Sequence, residues 1–319
     1  MPVFPKPKFP FDYDVNAEIG RLRQHKQARL IPERTPDTLL MATWNLANLG
    51  AQLRRDQDRS LIAEVLGWFD LIAIQECREN FSDLFDLQFK LGLDYKVCMS
   101  DTAGNDERMS FLYDSRKLSL LEEIGEISFS PSDLRYIKLP GITQPFQGFD
   151  RTPYLVSFAA GITSFVFVNV HLFWGDDKPH SLERRALETF AVARWAYLRQ
   201  KSQFSFTREL VVMGDFNMPK SEPGDPIYSA LTKRGLEVPL HSTQIASAIA
   251  ADANYDQIAF LPGTTKKCFT GLKGVFDYDG VIFPDLWMNG TNKANFKAYL
   301  RYYISDHRPM WVQLKINPA

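Results

Sequence analysis

Beyond about residue 38 the chain repeats one pattern of polarity: a short run of Val, Ile, Leu, Ala and aromatic residues, a polar break, then a longer stretch with apolar positions every three or four residues. Runs of the first kind have the length and composition of buried strands, and stretches of the second kind have the period of amphipathic helices. The pattern predicts strands over residues 39–44, 71–75, 95–99, 109–113, 154–159, 164–170, 210–213, 257–260 and 310–314. It predicts helices over 56–69, 81–91, 182–201 and 227–233, the last opened by the helix-start signal Asp225-Pro226. Several strands follow one another with no helix between them. That order predicts mixed or antiparallel sheets, and two packed sheets covered by helices accommodate it.

The first 14 residues are proline-rich and read as extended, and residues 15–27 place Val15, Ile19 and Leu22 on one helical face. We therefore expect residues 1–38 to form an N-terminal extension with a cap helix and 39–319 to form the main domain. The cap's basic run, Arg21, Arg23, His25, Lys26 and Arg29, suits either a solvated helix face or a phosphate backbone. No interior linker divides the remainder, while the Gly-, Pro- and Asn-rich stretches 128–150 and 261–303 read as long surface loops.

Composition narrows the picture. With 45% hydrophobic residues and 24 Phe, 12 Tyr and 6 Trp in 319 residues, the chain can fill a large core. The 37 Lys and Arg nearly balance the 38 Asp and Glu, so no global field draws the molecule onto a polyanion and any such binding is local. Three cysteines, Cys77, Cys98 and Cys268, make neither a disulfide framework nor paired zinc spacing. Prolines interrupt the N-terminus where a signal peptide needs an apolar run, and no stretch has membrane-spanning length. The expectation is a cytoplasmic protein with no membrane anchor and no obligate protein partner.

Candidate chemistry clusters at the ends of the predicted strands, where side chains leave a rigid sheet. Six segments do this: Thr43-Trp44-Asn45, Ile74-Gln75-Glu76, Asn169-Val170-His171, Gly214-Asp215-Phe216-Asn217, Asn254-Tyr255-Asp256 and Ser305-Asp306-His307. Taken singly, each has an ordinary structural role: Asn45 as a turn residue, Glu76 as a helix-entry acid, Asp215 to Asn217 as an Asx turn. Jointly they supply carboxylates, amides and two imidazoles. Hard oxygen donors of this kind suit Mg²⁺ or Mn²⁺, whereas zinc favours more His and Cys.

From about Leu39 to Leu314, this order of strand-end motifs resembles the endonuclease/exonuclease/phosphatase superfamily, which includes pancreatic-type deoxyribonuclease and the abasic-site endonucleases. The resemblance implies an α/β four-layer sandwich, with two packed mixed or antiparallel β-sheets flanked by helices. It implies a Mg²⁺- or Mn²⁺-dependent hydrolase that cleaves phosphodiester bonds, a nuclease by preference, with nucleic acid or another phosphodiester as substrate. A phosphomonoesterase or a lipid or inositol phosphodiesterase on the same fold is the alternative.

By that resemblance Glu76 anchors the ion with Asn45 and Asp306 nearby, while Asp215 and Asn217 hold phosphate, water or a second ion. His307 binds the phosphate or takes a proton, its tautomer set by Asp256. His171 is the second catalytic histidine, and Glu107, on the strand Glu107-Arg108-Met109-Ser110, is its companion glutamate. Salt bridging to Arg108 accounts for Glu107 equally well. Arg151 and Arg78 match phosphate- or base-contacting arginines, although ordinary surface positions also explain them. The chain departs from the pancreatic-type pattern in three places: Leu46-Ala47-Asn48 lacks a basic residue, Asn105 stands where an aromatic is expected, and Gln257 follows Asp256. These departures weigh against duplex DNA.

Overall fold

The computed structural model describes residues 3–240, 243–251, 253–288 and 293–316. Its first half runs α1 (Val15–Ala28), β1 (Thr38–Leu49), α2 (Asp56–Leu66), β2 (Leu71–Cys77), α3 (Ser82–Leu91), β3 (Tyr95–Met99), β4 (Arg108–Asp114), β5 (Leu118–Glu126) and α4 (Pro131–Leu134). The second half continues with β6 (Tyr154–Ala160), β7 (Thr163–His171), α5 (Pro179–Lys201), β8 (Leu210–Asp215), α6 (Pro226–Thr232), β9 (Asp256–Phe260), α7 (Thr264–Cys268), β10 (Phe269–Val275), α8 (Pro284–Trp287), α9 (Lys293–Tyr303) and β11 (Met310–Lys315).

The strands form two mixed sheets, one of order β10-β11-β1-β2-β4-β3 and one of order β5-β6-β7-β8-β9. Each contains one parallel pair near its centre, β1 with β2 and β7 with β8, among antiparallel neighbours. Strand parity sorts the core into three layers, because successive side chains point to opposite faces. On β1, Leu40, Ala42 and Trp44 join a cluster with Leu61, Ile62, Leu66 and Leu300 from the helices, while Leu39 and Met41 face the other way. On β7, Val166, Val168 and Val170 meet Leu187, Phe190 and Leu231 of α5 and α6, while Phe165 and Phe167 join Leu39, Met41 and Phe111 between the sheets. The result is a helix–sheet–sheet–helix sandwich. Its central strands are buried on both faces, which is why they read as continuous apolar runs.

The N-terminal residues pack on the outer helical layer. Asp14 caps α1 by accepting from the amides of Asn16 and Ala17 (2.8 and 3.2 Å), and Leu22 enters the core. Phe11 and Tyr13 meet Phe283 and Tyr299 edge to face or tilted, at 4.7–5.5 Å. Among the described residues no helix is long and apolar enough to cross a membrane.

Three departures from the pattern-based expectation have local causes. Segment 261–303, expected as a loop, holds β10, α8 and α9. In α9, Phe296, Tyr299, Leu300 and Tyr303 are buried at helical spacing behind a Gly- and Asn-rich lead. Strand β5 is a sheet edge and carries Ser119, Glu122 and Glu126 exposed to solvent, so its sequence lacks an apolar run, and in β10 Gly271 and Gly274 dilute the apolar content. Helix α2 stops at Leu66 on Gly67, and α5 begins at Pro179, a residue suited to the first helical turn.

Candidate active site

The same parity that builds the core builds a polar centre. Thr43 and Asn45 lie in phase with Leu39 and Met41, Gln75 with Leu71 and Ala73, Asn169 and His171 with Phe165 and Phe167, and Asp215 with Val211 and Met213. All therefore face the space between the sheets, and the parallel registers align Asn45 with Gln75 and His171 with Asp215 at one edge of the sandwich. The inner members form a floor. Gln75 Nε2 donates to Asn169 Oδ1 (2.6 Å) and Thr43 Oγ1 (3.0 Å), and Asn169 Nδ2 donates to the carbonyls of Ile74 and Ser110 (both 3.0 Å). This layer separates the apolar inter-sheet core from the groups above it. Gln75 and Asn169 stand inside two of the strand-end motifs, and their phase with Ala73 and Phe167 marks them as facing the inter-sheet core.

Glu76 breaks parity. The β2–β4 register shifts between Ile74 and Cys77, and Glu76 has φ +61°, a left-handed conformation that turns its side chain to the centre. Its Oε1 accepts from Asn45 Nδ2 (2.9 Å) and its Oε2 from the Asn48 amide (2.9 Å). Asn45 Nδ2 also donates to Asp215 Oδ2 (3.1 Å), so one amide spaces two buried carboxylates. Asp215 Oδ1 accepts from the Asn217 amide (2.8 Å), and Asn217 Nδ2 donates to Leu172 O (2.8 Å). Gly214 lets β8 pass this close: with φ +140°, a Cβ there would lie 2.1 Å from Val170 O.

Two imidazoles flank Asp215 in matching poses. His171 Nδ1 lies 2.9 Å from Glu107 Oε2 and its Nε2 3.7 Å from Asp215 Oδ2 and 4.0 Å from Glu76 Oε1. His307 Nδ1 lies 2.8 Å from Asp256 Oδ2 and its Nε2 3.8 Å from Asp215 Oδ2. A carboxylate behind Nδ1 fixes the proton there and leaves Nε2 to exchange one at the front. Ser305 and Ser247 frame the second pair: Ser305 Oγ accepts from His307 N (2.9 Å) and donates to Asn45 O (2.6 Å), and Ser247 Oγ accepts from Asp256 N (2.9 Å).

Burial and charge pull these groups in opposite directions. Burial opposes the charged form of His307, but the carboxylates of Asp256 and Asp215 prevail and hold its pKa well above the ordinary histidine range. Burial likewise pushes Glu107 up, yet the charge of His171, its contact at Nδ1 and Arg151 bring it down to about 2. Asp215 is lowered in the same way by His307 and His171, against burial. For Asp256 and Asp306 burial wins and the pKa is raised.

The remaining candidates are placed differently. Asp306 lies close enough to Glu76 and Asp215 for their charges to raise its pKa, and its Oδ1 is buried without a hydrogen bond. Arg151 is 3% exposed, its guanidinium donating to the carbonyls of His171 (2.8 Å) and Leu172 (2.7 Å) and to Asp150 (3.0 Å), with Glu107 at 3.7 Å. It braces the end of β7. Arg78 is half-buried and donates to Asn48 Oδ1 (2.6 Å) and Asn105 O.

The donor set fits a hard divalent cation. Glu76, Asp215, Asp256, Asp306 and Glu107 bring five buried or nearly buried carboxyl groups against two imidazoles and the guanidiniums of Arg151 and Arg78, 3.7 and 3.6 Å from Glu107, so carboxyl groups outnumber the basic ones and the centre would favour a bound cation. Asp215, Asp256 and His307 offer ligand atoms within 4.8 Å of one another. Because Asp256 is engaged by His307 Nδ1, we read that trio as a dyad facing Asp215.

No family model and no curated protein matches this sequence. Solved structures share its fold. An endonuclease/exonuclease/phosphatase family protein from Bacteroides thetaiotaomicron aligns with a TM-score of 0.54 at 18% identity, over 89% of this chain and 100% of its own. The mannosyl-6-phosphatase Bt3783 of Bacteroides thetaiotaomicron VPI-5482 gives 0.52 at 17% identity over 86% and 99%. ANGEL2, a 2',3'-cyclic phosphatase, gives 0.53 at 14% identity over 88% and 95%. The chain therefore has the endonuclease/exonuclease/phosphatase fold, the architecture its strand-end motifs imply.

Proposed function

We propose that this chain is a phosphoester hydrolase dependent on Mg²⁺ or Mn²⁺, and that its preferred substrate is a phosphodiester attacked in line by water. The observation that carries this reading is the buried convergence of Glu76, Asn45 and Asp215 between two imidazoles, each backed by its own carboxylate. Glu76, Asn45 and Asp306 would hold the ion, which when bound supplies positive charge against the phosphate and its leaving oxygen. Asp215, with Asn217 beside it, orients the attacking water and accepts its proton. His307, kept protonated near neutrality by Asp256 and Asp215, donates from Nε2 to a phosphate oxygen, and His171 turns its Nε2 to the substrate from the opposite side with Glu107 behind its Nδ1. Arg151 acts by holding the His171 carbonyl, and Arg78 by its ties to Asn48 and Asn105 at the rim.

Purified protein with Mg²⁺ or Mn²⁺ is expected to cleave bis-nitrophenyl phosphate or an oligonucleotide. Asp215→Ala and His307→Ala should each lose roughly 10²- to 10⁴-fold, the usual contribution of a general acid or base. Undiminished turnover in both variants would sink the role assignments. The relation in fold to a mannosyl-6-phosphatase supports a second reading, hydrolysis of a phosphomonoester. The near-neutral charge balance favours it too, since a nuclease gains from a cationic track. A panel of sugar phosphates, inositol phosphates, lipid diesters and oligonucleotides separates the two by which class gives the larger kcat/KM.

A further inference from the structure

Glu76 Oε2 is held by the amide of Asn48, which belongs to the same peptide unit as the carbonyl of Ala47. In a trans peptide the N–H and C=O point in opposite directions, so whatever grips Ala47 O also aims Asn48 N. Two buried side chains grip it. Gln52 Nε2 donates to Ala47 O at 2.9 Å and Arg54 Nη2 at 2.7 Å, and Arg54 Nη2 reaches Leu46 O at 2.6 Å as well. The same two nitrogens bind the chain just ahead of Ser305: Gln52 donates to Tyr302 O (3.0 Å) and Arg54 to Ile304 O (3.1 Å). They thus tie the irregular end of β1, carrying Asn45 and Asn48, to the segment carrying Asp306 and His307.

The grip is needed because this end of β1 is strained. Ala47 (φ +36°) and Asn48 (φ +53°) are both left-handed without being glycine, a conformation that surrounding contacts must maintain. Arg54 also places a buried cation at the carbonyl end of this peptide, which polarises its N–H toward the Glu76 carboxylate.

We propose that Gln52 and Arg54 are positioning residues for Glu76: they clamp the Ala47–Asn48 peptide so that its amide holds the carboxylate in the orientation that receives the metal ion. The inference rests on the reading of Glu76 as a metal ligand, and its test separates the two. Mn²⁺ binding to the full chain is titrated by electron paramagnetic resonance, with kcat and KM measured in parallel. Gln52→Ala should raise the Mn²⁺ dissociation constant about ten-fold, the usual effect of losing an outer partner of a ligand, and lower kcat with little change in KM. Gln52→Glu, which keeps the side chain's size and loses its N–H donors, should do the same if Gln52→Ala fails to fold. Leu84→Ala, in the same helix-side core cluster but away from the clamp, should lower Tm and leave the Mn²⁺ constant unmoved. Constants for both Gln52 variants within about two-fold of wild type, or matched by Leu84→Ala, overturn the clamp. A wild-type chain that binds no Mn²⁺ overturns the reading of the centre itself, and the clamp with it.

Discussion

Replacing Glu107 by Gln tests whether the carboxylate behind His171 is an electrostatic anchor. The substitution keeps the size and one oxygen acceptor and removes the charge. Burial works against that charge, but the His171 ring at 2.9 Å and Arg151 at 3.7 Å more than compensate and bring the pKa from 4.5 to about 2. At 1.36 kcal/mol per unit, that shift is worth roughly 3 kcal/mol of folding stability near neutrality. A carboxyl whose folded pKa lies below its unfolded value contributes above the unfolded value and loses that contribution as pH falls through the folded one. Urea unfolding should therefore show Glu107→Gln less stable by roughly 3 kcal/mol at pH ~7, with about half of the gap or less remaining at pH ~3. With the tautomer of His171 no longer set by a carboxylate, kcat should also fall by about 10²-fold or more. A stability gap that stays constant between these pH values, or a kcat equal to wild type, would refute the anchor.

Asp256→Asn should lower the pKa of His307, because the nearest charge holding it up is gone; the basic limb of the pH–rate profile should then move to lower pH, and an unmoved limb would remove Asp256 from the dyad. Lys273 is buried with its amine on Ile258 O (3.2 Å), and burial pulls its pKa from 10.5 to about 7. A base with a folded pKa below its unfolded value costs stability as pH falls from the unfolded value toward the folded one, so Lys273→Met should gain roughly 4 kcal/mol at pH ~7 and almost nothing above pH ~10.5 by urea unfolding. Gly214→Ala places a methyl 2.1 Å from Val170 O on a positive-φ backbone, so it should either abolish soluble expression or cut kcat sharply by displacing Asp215; a variant with wild-type Tm and activity would show that β8 has room to give.

Much of this molecule is legible along the chain. The apolar runs that mark β1, β2, β6, β7 and β8 are buried on both faces, so local composition alone reveals them. Polar residues at their ends, Asn45, Glu76, His171 and Asp215, stand out because a sandwich interior tolerates such groups only where the strands leave it. Period two also tells that Asn45, Asn169 and Asp215 share a face with the inter-sheet core.

Tertiary structure decided the rest. Glu76 reaches the centre through a register shift and a left-handed φ that no periodicity encodes. The pairing of Glu107 with His171 and of Asp256 with His307 joins residues more than fifty positions apart, and the commitment of Arg151 to backbone carbonyls appears only when the end of β7 is in place beside it. Gln52 and Arg54 sit in a stretch with no motif at all, and their role exists only because α9 brings Tyr302 and Ile304 to the same two nitrogens. Local sequence sets the period and the faces of each element, whereas which face meets which across the sandwich depends on contacts between distant residues, and those contacts make the site.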